Sequence, residues 1–205
     1  MIRIFQSARP SALLLACLLA GSLATGEPER NLPDQGCGST PQVHAIRDQA
    51  GKVDQLFDAP EPPGFHHLEK QSSRWQFTGL LDKDSPVYLS AEFSEGDLVR
   101  RESYYLVDGQ LILVDVDRWW DVDNPRKAPE PRKYQQIYVN QGQSVCTIWR
   151  TDSKPPVVRS DSIARPSGKF SERYRLIASI LTSESKDRTR ARPLQEFPED
   201  EPPPK

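Results

Sequence analysis

From Arg74 to Arg150 apolar residues alternate with polar ones over short runs, the two-residue period of half-buried β-strands. The runs Arg74–Leu81 and Val87–Phe93 are separated by the turn sequence Asp82-Lys83-Asp84-Ser85-Pro86. Two stronger hairpins follow, Leu98–Trp120 and Lys133–Arg150, rich in β-branched and aromatic residues. In the first, Asp108-Gly109 lies between Tyr104-Tyr105-Leu106-Val107 and Gln110-Leu111-Ile112-Leu113-Val114, which favours a two-residue type I′ turn with positive φ at both centres. An unbroken ladder from that turn sets Tyr105 against Ile112 and Ser103 against Val114. Ile112, Val114 and Val116 then share one face with Tyr105. Tyr104, Leu106, Leu111 and Leu113 share the other with Arg100, Glu102 and the acids of the second strand. The second hairpin turns at Asn140-Gln141-Gly142. If Gln141 and Gly142 are the turn residues, Ile137 lies opposite Cys146 and Tyr134 opposite Trp149, with Ile137, Val139, Cys146 and Ile148 on one face. A three-residue turn with Gly142 in the left-handed region is the alternative.

The period changes to that of a helix at either end of this region. Ser39 or Thr40 is suited to an N-cap before Pro41, and Val43, Ile46, Val53 and Phe57 follow at helical spacing up to the proline block Pro60–Pro63. Gly51 interrupts this pattern, and a hairpin turning at Ala50-Gly51 is the rival reading. Ser167 caps a second helical pattern, in which Phe170, Tyr174, Ile177 and Leu181 form a stripe widened by Leu176 and Ile180. The expected fold is α+β: an antiparallel meander of five to six strands covered by an N-terminal and a C-terminal helix, in one domain spanning 39–185. The segments Asp123–Arg132, with three prolines, and Thr151–Pro166 are expected to be irregular loops.

The ends have other compositions. Residues 1–24 combine Arg3 and Arg9, an apolar run and Ser22-Leu23-Ala24, the arrangement of a secretory signal peptide. Leu14-Leu15-Ala16-Cys17 also has the form of a lipoprotein box with Cys17 as the acylated residue, but Leu18 and Leu19 continue the apolar run past it, and soluble export is the favoured reading. Residues 25–38 read as a linker, and Lys186–Lys205, charged and proline-rich, as a disordered tail that could be removed without loss of fold. Removing the leader, with its two arginines, takes the formal charge from −2 to −4. That balance gives no electrostatic footprint for nucleic acid, and no segment has the length and composition of a membrane span. Two cysteines remain, Cys37 and Cys146, and in an oxidising compartment they are expected to pair.

Candidate chemistry concentrates on one strand. Asp115, Asp117, Trp119, Asp121 and Asp123 alternate onto a single face if the strand stays regular, and the unbroken register places Arg100 opposite Asp117. Carboxylates two residues apart are about 7 Å from each other along a strand, too far to share one ligand position. The glycine and bidentate glutamate of a calcium loop are missing, so a solvated face is favoured for the acids over a cation site or a partner-binding surface. The three histidines, His44, His66 and His67, have neither zinc-ligand nor metalloprotease spacing. No nucleophile elbow or phosphate-cradling glycine loop is present, so no catalytic residue, metal ligand or cofactor is assigned. The sequence therefore predicts an exported bacterial envelope protein, periplasmic or secreted. It predicts a non-enzymatic role, binding a protein partner through Asp115, Asp117, Trp119, Asp121, Asp123 and Arg100; inhibitor and immunity proteins are analogous in size and address alone. The alternatives are a small carboxylate-dependent envelope hydrolase, assembled for example from Glu92, Glu102 and the aspartates, and a structural envelope component.

Overall fold

The computed structural model describes residues 36–60, 62–122 and 127–183. The expected leader with Cys17, most of the linker, Asp123 and the expected tail Lys186–Lys205 lie outside them. A short 3₁₀ turn, Gly36–Ser39, leads into helix α1, Pro41–Asp58. Thr40 is its N-cap, accepting a hydrogen bond from the Val43 N–H at 3.4 Å, with Pro41 in the first turn where a missing N–H costs nothing. Gly51 continues the helix, so the hairpin reading at that position does not hold.

Eight strands follow: β1 Phe65–Gln71, β2 Trp75–Asp82, β3 Ser85–Glu95, β4 Leu98–Val107, β5 Gln110–Trp120, β6 Lys133–Asn140, β7 Gln143–Thr151 and β8 Val157–Asp161. Helix α2, Gly168–Thr182, closes the described chain. All eight strands form one antiparallel sheet in sequence order, a pure meander. The expectation of five to six strands is thus corrected by an added strand at each edge. Neither shows the apolar alternation of a covered strand: β1 reads Phe-His-His-Leu-Glu-Lys-Gln, and β8 is five residues following Pro155-Pro156.

The sheet is covered on both faces, one helix to each. Val43, Ile46, Ala50 and Val53 of α1 pack with Leu80, Tyr88, Tyr105, Leu113, Tyr138, Cys146 and Ile148. Phe170, Tyr174, Ile177, Ile180 and Leu181 of α2 pack with Phe77, Leu89, Ala91, Tyr104, Leu106, Val114, Val116 and Ile137. Because both faces are buried, adjacent residues such as Tyr104 and Tyr105 are both fully covered, each belonging to a different core. At Gly79 a side chain would have a Cβ only 3.0 Å from Leu89 and Leu181, so glycine lets α2 approach β2 closely.

Two bulges correct the expected registers. The Asp108-Gly109 turn forms with φ of 50° and 72°, as the sequence implies. The ladder then slips between Tyr105 and Leu106, pairing Leu106 with Leu111 but Tyr105 with Leu113, Tyr104 with Val114 and Glu102 with Val116. One extra residue moves every later β4 side chain to the other face relative to β5. Val114 and Val116 therefore lie with Tyr104 under α2, while Asp115 and Asp117 lie with Ser103 and Arg101. In the second hairpin Gln141 and Gly142 are the turn residues, and a slip between Tyr138 and Val139 pairs Tyr138, not Ile137, with Cys146, and Tyr134 with Arg150. Ile137 and Val139 join the α2 core and Cys146 and Ile148 the α1 core.

Cys37 and Cys146 form a disulfide with a Cα–Cα separation of 5.6 Å, 109 residues apart in sequence. It ties the turn preceding α1 to β7. In the chain-entropy account such a loop contributes about 4–5 kcal/mol as an upper bound.

Candidate functional site

The α1 face grades from apolar to charged along the strands. Under the helix runs the row Leu80, Tyr88, Tyr105, Leu113, Tyr138 and Cys146. The next row on the same face is polar: Ser90, Ser103, Asp115 and Gln136 lie side by side, Asp115 half-buried and the others buried. The Tyr88 hydroxyl is 3.1 Å from that of Ser103, the Tyr138 hydroxyl donates to Gln136 at 3.0 Å, and Arg47 of α1 donates to the Tyr138 hydroxyl at 2.8 Å. Beyond it comes the row Glu92, Arg101, Asp117, Tyr134 and Arg150, on neighbouring strands β3 to β7.

This outer row, with Trp119 two residues beyond Asp117 on β5, is a band of alternating guanidinium and aromatic groups. Arg101 lies 5.3 Å and Arg132 5.0 Å from the Trp119 ring, Arg132 lies 4.9 Å from Tyr134, and Arg150 lies 5.7 Å from Tyr134 on its other neighbour strand. Each arginine is also held by an acid. Arg101 donates to Glu92 through Nε at 3.0 Å and Nη2 at 2.8 Å, and Arg150 donates to Asp152 at 3.0 Å. Arg132, immediately before β6, grips Asp117 with both Nε and Nη2, a fork that fits the carboxylate plane. The hydrogen bond from Arg132 to Asp117 raises the guanidinium pKa against the effect of burial. Burial also pushes the Tyr134 hydroxyl well up from the usual tyrosine range, only partly opposed by the Arg132 charge, so the ring stays neutral. Side-chain exposures of 40% for Arg101, 31% for Glu92 and 30% for Arg132 keep the band in contact with solvent.

The expected residues are distributed unevenly around it. Asp117 and Trp119 are at its centre. Asp115 belongs to the half-buried polar row between band and helix. Asp121 is exposed past the end of β5, where its backbone N–H bonds the Asp97 carbonyl at 2.6 Å. Asp123 lies outside the described residues. Arg100, expected opposite Asp117, sits instead on the α2 face because of the bulge at Tyr105/Leu106, and Arg101 takes its place across from Asp117. The partners that the sequence did not point to are Arg101, Arg132, Tyr134 and Arg150, while Glu92, considered as a hydrolase carboxylate, is bound to Arg101. The alternation Arg132-x-Tyr134 was visible, but it begins in a proline-broken loop that carries no strand signal.

On the opposite face Arg100 belongs to a second, buried cluster. Glu102 has no exposed surface; it accepts from Arg173 of α2 at 3.0 and 2.6 Å, from the Tyr104 hydroxyl at 2.5 Å, and is 3.1 Å from Arg100 Nε. Burial, reinforced by the Glu102 charge, pushes the Tyr104 hydroxyl far up. Burial pulls Arg100 down despite Glu102. Arg173, also drawn down by burial, is carried up overall by its hydrogen bonds and charge pairing with Glu102. Glu102 shows none of its side-chain surface and Arg173 and Arg100 only 8% and 12%, and the cluster fastens α2 to the sheet.

Among the described residues no three of His, Cys, Asp and Glu come together in a way that could hold a metal ion, and no helix is long and apolar enough to cross a membrane. Comparison with protein-family models, with curated proteins and with solved structures finds no match.

Proposed function

We propose that this protein is exported to the bacterial envelope or beyond, and that it serves there as a non-enzymatic binding protein whose contact surface for a protein partner is the arginine–aromatic band on the outer α1 face. The observation that carries this reading is the band itself: Trp119, Tyr134, Arg101 and Arg132, the residue types that dominate protein–protein hot spots, half-exposed and pre-set on rigid strands. Side chains already stacked and paired lose little further freedom when a partner lands on them. The carboxylates within the band, Glu92 and Asp117, are committed to arginines, which supports a role in contact and not in acid–base chemistry. The leader-like residues 1–24 and the Cys37–Cys146 disulfide support an oxidising, extracytoplasmic address.

The test is affinity capture from envelope extract with the wild type and with a Trp119→Ala/Tyr134→Ala variant, followed by titration of the captured protein, purified, against both. The expected result is a partner whose affinity falls at least tenfold in the double variant while the thermal midpoint stays near that of the parent. A captured partner that binds both forms equally would place the contact elsewhere, and an Asp48→Ala/Lys52→Ala control on the exposed side of α1 should leave binding unchanged.

A further inference from the structure

The two edges of the meander are finished differently. At β8 the edge is five residues long and follows Pro155-Pro156. It is flanked by the N-terminal turn: Gly36 lies so close to Ser160 that a Cβ there would meet its hydroxyl, and the Cys37 sulfur is 3.2 Å from the Asp161 carbonyl oxygen. At β1 the edge is longer, seven residues, Phe65–Gln71, following Pro62-Pro63-Gly64 and paired with β2 throughout without a slip. Exposed edges of this kind template further strand pairing unless charges, bulges or prolines blunt them. Lys70, the obvious gatekeeper, is occupied inside the molecule, where its Nζ donates to the Ile180 carbonyl at 2.6 Å and to the Ser183 carbonyl at the end of α2.

We propose that β1 is a homodimer edge, pairing antiparallel about a two-fold axis with β1 of a second copy of this chain. The backbone fixes which residues can meet. The Ser72 N–H bonds the Trp75 carbonyl at 2.8 Å, so along the alternating ladder Leu68 and Lys70 turn their backbone groups toward β2, and His67, Glu69 and Gln71 turn theirs outward. Outward residues must face outward residues, so a two-fold pair has to centre on a single residue. Centring on Leu68 overlaps all seven residues of the strand. It sets His67 against Glu69 of the second copy twice over, each as a doubly hydrogen-bonded pair. Toward the ends His66 stands across from Lys70, whose ammonium is turned to the end of α2, and Phe65, whose N–H already bonds the Pro62 carbonyl at 3.1 Å, stands across from Gln71. Leu68 then meets its own symmetry mate in a non-hydrogen-bonded pair, where side chains approach closest. Leu68 already packs against the α2 core, so the contact extends that core across the axis.

The neighbouring registers are poorer. Centring on Glu69 opposes two carboxylates, and centring on His67 opposes two imidazoles. The strand is therefore complementary to itself in one alignment, and this is what selects a second copy over an unrelated strand.

The experiment uses protein expressed from its full-length sequence. Sedimentation equilibrium over a concentration series into the high-micromolar range should show a monomer–dimer equilibrium. His67→Pro removes an outward N–H without touching the β1–β2 ladder, a position where an edge strand tolerates proline, and should give monomer throughout. Independently, Leu68→Cys places two thiols about 4.5 Å apart by Cα at the axis, within disulfide reach, and should give a covalent dimer on mild oxidation, whereas Glu69→Cys should not. Monomer at every wild-type concentration would overturn the proposal. So would a dimer that survives His67→Pro in folded protein, or one that Leu68→Cys fails to cross-link.

Discussion

The sheet carries arginine–carboxylate pairs on both faces, and the two sets do different things. On the α2 face Glu102, with no exposed surface, is gripped by Arg173 across the helix–sheet seam. On the α1 face Arg101–Glu92 and Arg132–Asp117 share the same chemistry but lie beyond the end of the helix's footprint, open in part to solvent. A buried pair must be complete, because either charge left alone in the interior costs several kcal/mol. A solvated pair contributes little to folding and remains available to neighbours. Burial, not residue type, separates the fastener from the proposed contact surface.

The sharpest way to break that contrast is Arg173→Ala. It leaves Glu102 buried with Arg100 as its one remaining charge partner and the Tyr104 hydroxyl as its donor, and urea unfolding should show a loss toward the lower end of about 3–5 kcal/mol. Replacing both Cys37 and Cys146 by serine should cost about 2–4 kcal/mol in the same assay, and thiol titration of the denatured, unreduced wild type should find neither cysteine of this pair free. Arg132→Ala, which removes a forked hydrogen-bond pair that is only partly buried, should cost about 1 kcal/mol. Arg101→Ala should change stability by less than about 0.5 kcal/mol while weakening partner binding, the outcome that most directly separates the two faces. If Arg101→Ala proves as damaging as Arg173→Ala, the distinction collapses.

The smallest effect concerns pH. Tyr104 and Tyr134 hold their protons in the folded state to higher pH than in the unfolded chain, whose tyrosines titrate near pH 10. Above that value the unfolded state binds fewer protons than the folded one, so stability falls as pH rises and is unaffected by these groups below it. Tyr134→Phe should shallow the alkaline decline slightly, read as a smaller drop in thermal midpoint between pH 9 and pH 11. Because Tyr134 is only half-buried, the gain should be modest.

The elements with two-faced chemistry were legible from their residues. The stripe Phe170, Tyr174, Ile177, Leu181 named the α2 face that is buried, and Asp108-Gly109 and Gln141-Gly142 named both turns. Bulges left no such mark. Nothing in Leu111-Ile112-Leu113 marks Ile112 as the extra residue, since these and the facing Tyr105-Leu106 are apolar enough for either face of a sheet covered on both sides. That single ambiguity exchanged Arg100 for Arg101 in the site. The edge strands escaped because a strand paired on one side and covered unevenly has no apolar alternation to read. Arg132 and Tyr134 escaped because their partners arrive from two other strands, β5 and β7.

A meander has a consequence for how the chain assembles. Every strand pairs with its neighbour in sequence, so each ladder closes a short loop and pays little chain entropy before it is rewarded. The sheet can zip up hairpin by hairpin, in either direction, without waiting for a distant segment. Contacts of the N-terminal turn and the two helices are the exceptions, such as Arg47–Tyr138 and Glu102–Arg173 at 91 and 71 residues, and two of them stand out. The Cys37–Cys146 bond and the Lys70 bridge to the end of α2 join positions 109 and 113 residues apart. Both have to form late, after β7 and α2 exist, and both act as latches on a sheet already built. Folding should therefore be rapid for the strands and slower for helix docking, with the latches setting how long the finished protein stays shut.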